Sequence, residues 1–216
     1  MKKITYLAIA ALLTISSASF AQVRASLTGG TVLANMYSKE NGSSTKLQNK
    51  AGITGGVEVD IPAGSNLSFQ TGLNFVQKGT RDVSDIMGGQ YKFNLSLNQI
   101  ELPLNLLYNT RHEKGNFFIG AGPSLAYGIS GKYSIEYGQM KEGKKLEFGN
   151  DPEKVKPFDA GINAVTGYRF SNGISMSVNY NRGLTNLANA EFPDDAEKIT
   201  TQYFGLRLGY QFGHKK

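Results

Sequence analysis

The sequence predicts an all-β fold, an eight-stranded antiparallel up-and-down transmembrane β-barrel with long external loops and short periplasmic turns. Three observations predict it: period-two alternation recurs along the chain, the connections alternate long and short, and aromatics gather at both ends of the alternating segments. Composition narrows the choice. Charged residues make up 19% of the chain, below the usual ~25%. Mean hydropathy is −0.29, and no apolar run approaches the ~20 residues of a membrane helix, which excludes a helical membrane bundle. The 40% hydrophobic content excludes whole-chain disorder. The absence of Cys removes disulfide scaffolds, thiolate metal sites and cysteine nucleophiles together.

The chain opens with Met1-Lys2-Lys3, then an apolar stretch from Ile4 to Ile15, then small residues at Ser19 and Ala21. This is the pattern of a secretory signal cut ahead of Gln22. The expected organisation is therefore a signal peptide over 1–21 and one barrel domain over 22–216. Cleavage removes Lys2 and Lys3, so the formal charge of +6 falls by two. So small a basic excess on an exported chain does not point to nucleic acid. It suits a phosphate-bearing surface such as lipopolysaccharide, and equally a set of solvated lysines.

The expected strands span 22–34, 51–61, 66–79, 91–109, 116–131, 157–170, 173–186 and 200–213. Ile174-Ser175-Met176-Ser177-Val178-Asn179-Tyr180-Asn181 shows the pattern most clearly, since each apolar residue is followed by a polar one. Leu67, Phe69, Leu73 and Phe75 oppose Ser68, Gln70, Gly72 and Asn74. Phe204, Leu206, Leu208, Tyr210 and Phe212 oppose Gly205, Arg207, Gly209 and Gln211. In 91–109 the apolar residues sit at odd positions up to Leu97 and at even positions from Ile100, which predicts a bulge near Asn98-Gln99. The longest connection, 132–156, carries its own alternation: Tyr133, Ile135 and Tyr137 before an expected turn at Glu142-Gly143, Leu146 and Phe148 after it. It reads as a hairpin extending the fifth and sixth strands beyond the membrane, with a ten-stranded barrel as the alternative.

Alternation does not say which face meets lipid. A soluble calycin-like barrel would turn the apolar face inward and bind a hydrophobic ligand. The small polar character of the opposite face, the loop asymmetry and the aromatics favour a membrane. Those aromatics are Tyr91, Phe93, Tyr127, Tyr180 and Tyr203 towards the loops, and Tyr108, Phe117, Tyr168, Phe170, Tyr210 and Phe212 towards the turns. With lipid outside, Arg24, Glu58, Asp60, Glu101, Arg169 and Arg207 belong to the interior, three bases among three acids. Charges there must be paired or hydrated. They form either a polar plug that closes the barrel or a constriction that selects small solutes, as in a narrow, weakly selective porin-like channel. Eight strands leave an interior that side chains just fill.

Several segments, taken in order, resemble the PorT-like outer-membrane β-barrel family of Bacteroidota. They are Leu97-Asn98-Gln99-Ile100-Glu101-Leu102-Pro103-Leu104, Gly120-Ala121-Gly122-Pro123-Ser124, Phe158-Asp159-Ala160-Gly161-Ile162-Asn163, Tyr180-Asn181-Arg182-Gly183-Leu184-Thr185-Asn186, and the ending Gly205-Leu206-Arg207-Leu208-Gly209-Tyr210-Gln211-Phe212. The resemblance implies location in the bacterial outer membrane, no catalytic residues, and a link through the family's named member to protein secretion at the cell surface. It also implies an assembly signal ending at the aromatic Phe212, from which Gly213-His214-Lys215-Lys216 departs.

Enzyme chemistry is not expected. The histidines, His112 in a short turn and His214 in the tail, fall at the periplasmic end, so outer-leaflet lipid chemistry lacks a base. Two His without Cys make no zinc site. Asp194, Asp195 and Glu197 lack calcium-site spacing, and Gly120-x-Gly122 lies within a strand rather than ahead of a helix. No cofactor is expected. Expected partners are outer-membrane lipid and lipopolysaccharide, touched by Lys39, Lys46, Lys50, Arg81, Lys132, Lys141, Lys144 and Lys145, together with an envelope or secretion protein. The alternative for these bases is that they keep the loops soluble.

Overall fold

The structure, a computed structural model, describes residues 23–40, 43–86, 89–110, 114–138, 140–151, 154–189 and 198–212. The expected signal segment, both histidines and the Asp194–Glu197 cluster lie outside the described residues. Strands β1 (Arg24–Glu40), β2 (Ser43–Lys46), β3 (Gln48–Pro62), β4 (Leu67–Ile86), β5 (Gly89–Asn109), β6 (Gly115–Tyr137), β7 (Met140–Leu146), β8 (Phe158–Phe170), β9 (Ile174–Gly183) and β10 (Lys198–Gln211) follow one another. All pairings between these strands are antiparallel. The ring runs β1-β3-β4-β5-β6-β8-β9-β10 and closes where β10 pairs with β1, from Ser26↔Gln211 to Lys39↔Lys198. Closure removes every sheet edge from the membrane, the condition for a spanning sheet. β2 and β7 are short additions, paired to β1 and β6 beyond the ring.

Adjacent residues of one strand show which face meets lipid. Leu73 is 61% exposed and Asn74 0%. The same inversion runs around the ring: Leu27, Ile53, Ile119, Ile162, Met176 and Leu206 are exposed, while Gln70, Asn105, Asn163, Asn179 and Asn181 are buried. In water, each such side chain left exposed forgoes about 1.5–3 kcal/mol. An apolar exterior around a polar interior rules out the soluble ligand-binding barrel and fits lipid. The turn-end aromatics stand on the lipid face: Tyr108, Phe117, Phe170, Tyr210 and Phe212 are exposed, and the Tyr168–Phe170 and Tyr210–Phe212 pairs meet edge to face at 4.9 and 5.4 Å. At the loop end, Tyr127 and Phe204 are exposed, and Tyr180 meets Phe204 in a tilted pair at 4.7 Å.

Three expectations are corrected. The external connections are less loop-like than their lost alternation suggests: β4, β5 and β6 run for 20, 21 and 23 residues, about twice the ~9–11 a membrane crossing needs. Above the lipid neither face has to be apolar, so the strand continues while its signature stops. The hairpin within 132–156 joins β6 to β7 and does not extend β8. It turns after Tyr137, which opposes Met140, with Gly138 at φ 58°, not at Glu142-Gly143, which lies inside β7. The register does shift at Asn98/Gln99, but the extra residue is Ile129 of β6, since Asn98 opposes Ser130 and Gln99 opposes Gly128. β5 keeps its phase throughout. Leu95 and Leu97 share the inward parity of Gln99 and Glu101, and it is the interior that changes from polar to apolar.

Candidate functional site: a closed lumen

The interior has two layers. In the turn-side half, charges from strands that are not neighbours meet across the lumen. Arg169 on β8 binds Asp60 on β3 at 2.5 Å, and Arg207 on β10 binds Glu58 on β3 at 2.8 Å. Gln70 donates to the second Asp60 oxygen at 3.0 Å. Asn105 then donates to Gln70 at 3.2 Å, and Asn163 to Asn105 at 3.1 Å. The Arg169 guanidinium lies over the Phe118 ring at 5.3 Å. Above this, the Tyr203 hydroxyl donates to Glu101 at 2.6 Å. Lys78 sits between Glu101 at 3.6 Å and Asp159 at 3.5 Å, with Thr201 donating to Asp159 at 2.9 Å. Arg207 reaches the Tyr203 hydroxyl at 3.5 Å, so the Arg207–Glu58 pair and the Lys78 group form one connected set. Gly183 lets β9 pass this point, because a Cβ there would lie 2.8 Å from Asp159 Oδ1.

The loop-side half is closed by apolar packing. Met36, Leu97 and Leu187 form a buried cluster, with Leu47, Leu95, Leu146, Phe148, Val155 and Ile199 packed against it. The connecting segments that supply it are tied down through their backbones. Asn189 Nδ2 lies within 2.8 to 3.0 Å of the carbonyl oxygens of Gly149, Asp151 and Lys154, and Lys156 donates to the Leu187 carbonyl at 3.0 Å. Phe148 and Val155 form a bridge, as do Val155 and Ala188.

Five of the six expected interior charges, Glu58, Asp60, Glu101, Arg169 and Arg207, sit inside the barrel in these pairs. Arg24 does not. It is exposed at the turn-side rim beside its ladder partner Asp60, whose carboxylate is taken by Arg169. As the first residue of β1 it stands at the open end of the ring, where no described residue encloses its side chain. Lys78 and Asp159 complete the set, and neither was among the expected charges. Lys78 shares the parity of Gln70, Asn74 and Val76, which would have found it. Tyr203 is not an interfacial aromatic. Its parity is that of Arg207, opposite to Phe204, and it is fully buried. Tyr91 and Phe93 lie out on the hairpins opposite Tyr137 and Ile135, above the interface where they were expected.

Of the expected lipid-contacting bases, Lys50 donates to Ser96 Oγ at 2.8 Å. Ser96 opposes Lys132, and Lys132 opposes Lys145, so three bases from three strands line one row on the outward face above the barrel. Burial, and then the nearby Lys132 charge, holds the Lys50 ammonium below the ordinary lysine pKa. Lys141 is paired with Glu136 at 2.5 Å. The side chains of Lys39 and Lys46 lie outside the described set.

An apolar-faced closed ring around a paired polar interior defines a transmembrane β-barrel whose lumen is filled by its own side chains. A family model described as an outer membrane protein beta-barrel domain matches residues 17–189, and the chain belongs to that family; it is an outer-membrane protein. No curated protein matches the chain. Among solved structures, it is similar to Ail of Yersinia pestis in complex with the heparin analogue sucrose octasulfate (14% identity, 88% of this chain and 99% of that one, TM-score 0.39). It is also similar to the neisserial surface protein NspA (11%, 86% and 97%, 0.43). A third likeness is to OprG of Pseudomonas aeruginosa (11%, 88% and 95%, 0.46).

Proposed function

We propose that this protein is a closed outer-membrane barrel with a structural or interaction role, neither an enzyme nor an open channel. The observation that carries this reading is the double closure: ion pairs bridging non-adjacent strands, under an apolar cluster built from the external segments. A permeating ion would have to displace both. The β6–β7 hairpin, standing beyond the membrane, offers a surface for an envelope or secretion partner. The likeness of the Gly120–Ser124 and Gly205–Phe212 segments to PorT-like barrels supports a link to surface protein secretion. In planar bilayers the full chain should give no steady single-channel current. Steady currents that vanish in Glu101→Gln or Arg207→Leu would overturn the closed reading in favour of a narrow, weakly selective porin-like channel.

The row of Lys50, Lys132 and Lys145 supports contact with lipopolysaccharide phosphates, because it faces outward at the level where strands leave the lipid and, among the described residues, no acid is paired into it. Replacing Lys132 and Lys145 together with Glu should lower the lipopolysaccharide retained by the folded, detergent-purified protein. Unchanged retention would remove this contact from the reading.

A further inference from the structure

At the turn end the lumen opens into a cavity of about 230 Å³. This is below the ~300–1,000 Å³ of pockets for drug-sized ligands, so its occupant is small, or is one end of something longer. Its polar lining has more hydrogen-bonding capacity than the protein uses. Gln211 is 1% exposed, and neither its amide nitrogen nor its carbonyl oxygen has a protein partner; the buried Arg169 Nε also has none. Arg24, exposed at the rim, lines the same space, while the nearby Asp60 carboxylate is already held by Arg169 and Gln70. The cavity therefore presents an uncommitted guanidinium, three further N–H donors (two on the Gln211 amide, one on Arg169 Nε) and one carbonyl acceptor. Buried donors and acceptors left without partners are unfavourable, so these groups favour an occupant that pairs with them.

We propose that this periplasm-facing cavity binds the carboxylate end of a short peptide. Arg24 takes the carboxylate with support from Arg169 Nε, and the Gln211 amide pairs with the last peptide bond. A fully deprotonated anion such as sulfate would satisfy the donors but leave the Gln211 carbonyl without a hydrogen-bond donor. A peptide terminus brings the carboxylate together with an adjoining N–H and C=O, and an extended chain leaves through the open mouth. The site borders the lumen closure through Arg169 and Asp60, while the Lys78 and Tyr203 groups lie deeper and take no part.

The test uses the full chain refolded in detergent micelles, with folding checked by its heat-modifiable gel mobility. Binding of N-acetyl-alanyl-alanine, of the same peptide capped as its C-terminal amide, and of inorganic phosphate is followed by calorimetry. The free-acid peptide should bind, and the amide-capped peptide should bind at least about tenfold more weakly, the scale of one lost charge-assisted hydrogen bond. Arg24→Gln, at an exposed position that folding does not depend on, should weaken the acid by a similar factor and leave the capped peptide unaffected. Gln211→Leu should weaken both peptides. Equal binding of acid and amide, phosphate binding as tight as the peptide's, or no peptide binding at millimolar concentration would each overturn the proposal.

Discussion

The two halves of the lumen are closed by opposite means. The turn-side half uses charges that reach across the barrel, Asp60 to Arg169 and Glu58 to Arg207, and above them Lys78 sits between Glu101 on the neighbouring strand and Asp159 on a distant one. The loop-side half uses Met36, Leu97, Leu187 and the apolar residues around them. The difference follows from where the side chains come from. Within the membrane the barrel wall is all there is, and its inward positions must fill a narrow tube without adding to the apolar exterior. Beyond the membrane, the connecting segments fold back and supply side chains that have no lipid to face. A charged closure depends on each partner being present, because a carboxylate left alone in a buried site has nothing to offset its desolvation. An apolar closure depends on volume and tolerates exchange of one hydrophobic residue for another.

That contrast can be broken from either side. The largest effect is expected at Lys78. Lys78→Met keeps most of the volume but leaves Glu101 and Asp159 facing each other without a cation, and should destabilise the folded barrel by about 3–5 kcal/mol in guanidinium unfolding from lipid vesicles. Adding Asp159→Asn should recover a large part of that loss. A single variant as stable as the parent would mean that the charged half is not held by pairing.

Leu97→Ala in the apolar half should cost about 2–4 kcal/mol by the same measurement, whereas Leu97→Met should cost less than about 1.5 kcal/mol. Equal losses for Ala and Met would show that shape, not apolar volume, closes the loop side. Proteolysis of intact cells adds a spatial readout. Cleavage within 147–156 should accelerate in the Ala variant and stay at the parental rate in the Met variant.

The smallest effect lies outside both closures. The hydrogen bond from Lys141, and then its charge, holds the Glu136 carboxyl below the ordinary carboxylate pKa. A depressed folded-state pKa adds stability that is present above the unfolded value of ~4.3 and is lost as pH falls through the folded value. Acidification through that window should therefore loosen the β6–β7 hairpin while the barrel stays closed. Amide exchange at Ile135 and Glu142, compared between neutral pH and pH near 3, measures it. Hairpin exchange that is independent of pH would show that the Glu136–Lys141 pair contributes nothing.

Much of the fold was legible because one physical rule governs it. A strand between lipid and a polar interior must alternate, so Leu67 to Phe75 and Ile174 to Asn181 declared both their conformation and which residues share a face. The misreadings came where a second environment replaced lipid or lumen. Leu95 and Leu97 looked like a switch of face in β5, but they keep their inward phase and meet an apolar interior. Tyr203, grouped with the interfacial aromatics, has the inward parity of Arg207. Lys78 had the right parity but lay at the end of the alternating run, where the pattern was fading into the extended hairpin.

The sequence by itself determined the number of membrane strands, which residues of each strand share a face, the alternation of long and short connections, and the presence of both signs of charge on the polar face. These depend on residues one or two positions apart. Only the tertiary structure decided which charge meets which, that Arg24 stays at the rim facing an open cavity, and that the external segments fold back to seal the loop side. Arg169 and Asp60 are 109 residues apart and Arg207 and Glu58 are 149. Their pairing depends on strand register around the whole ring, and no local periodicity records it.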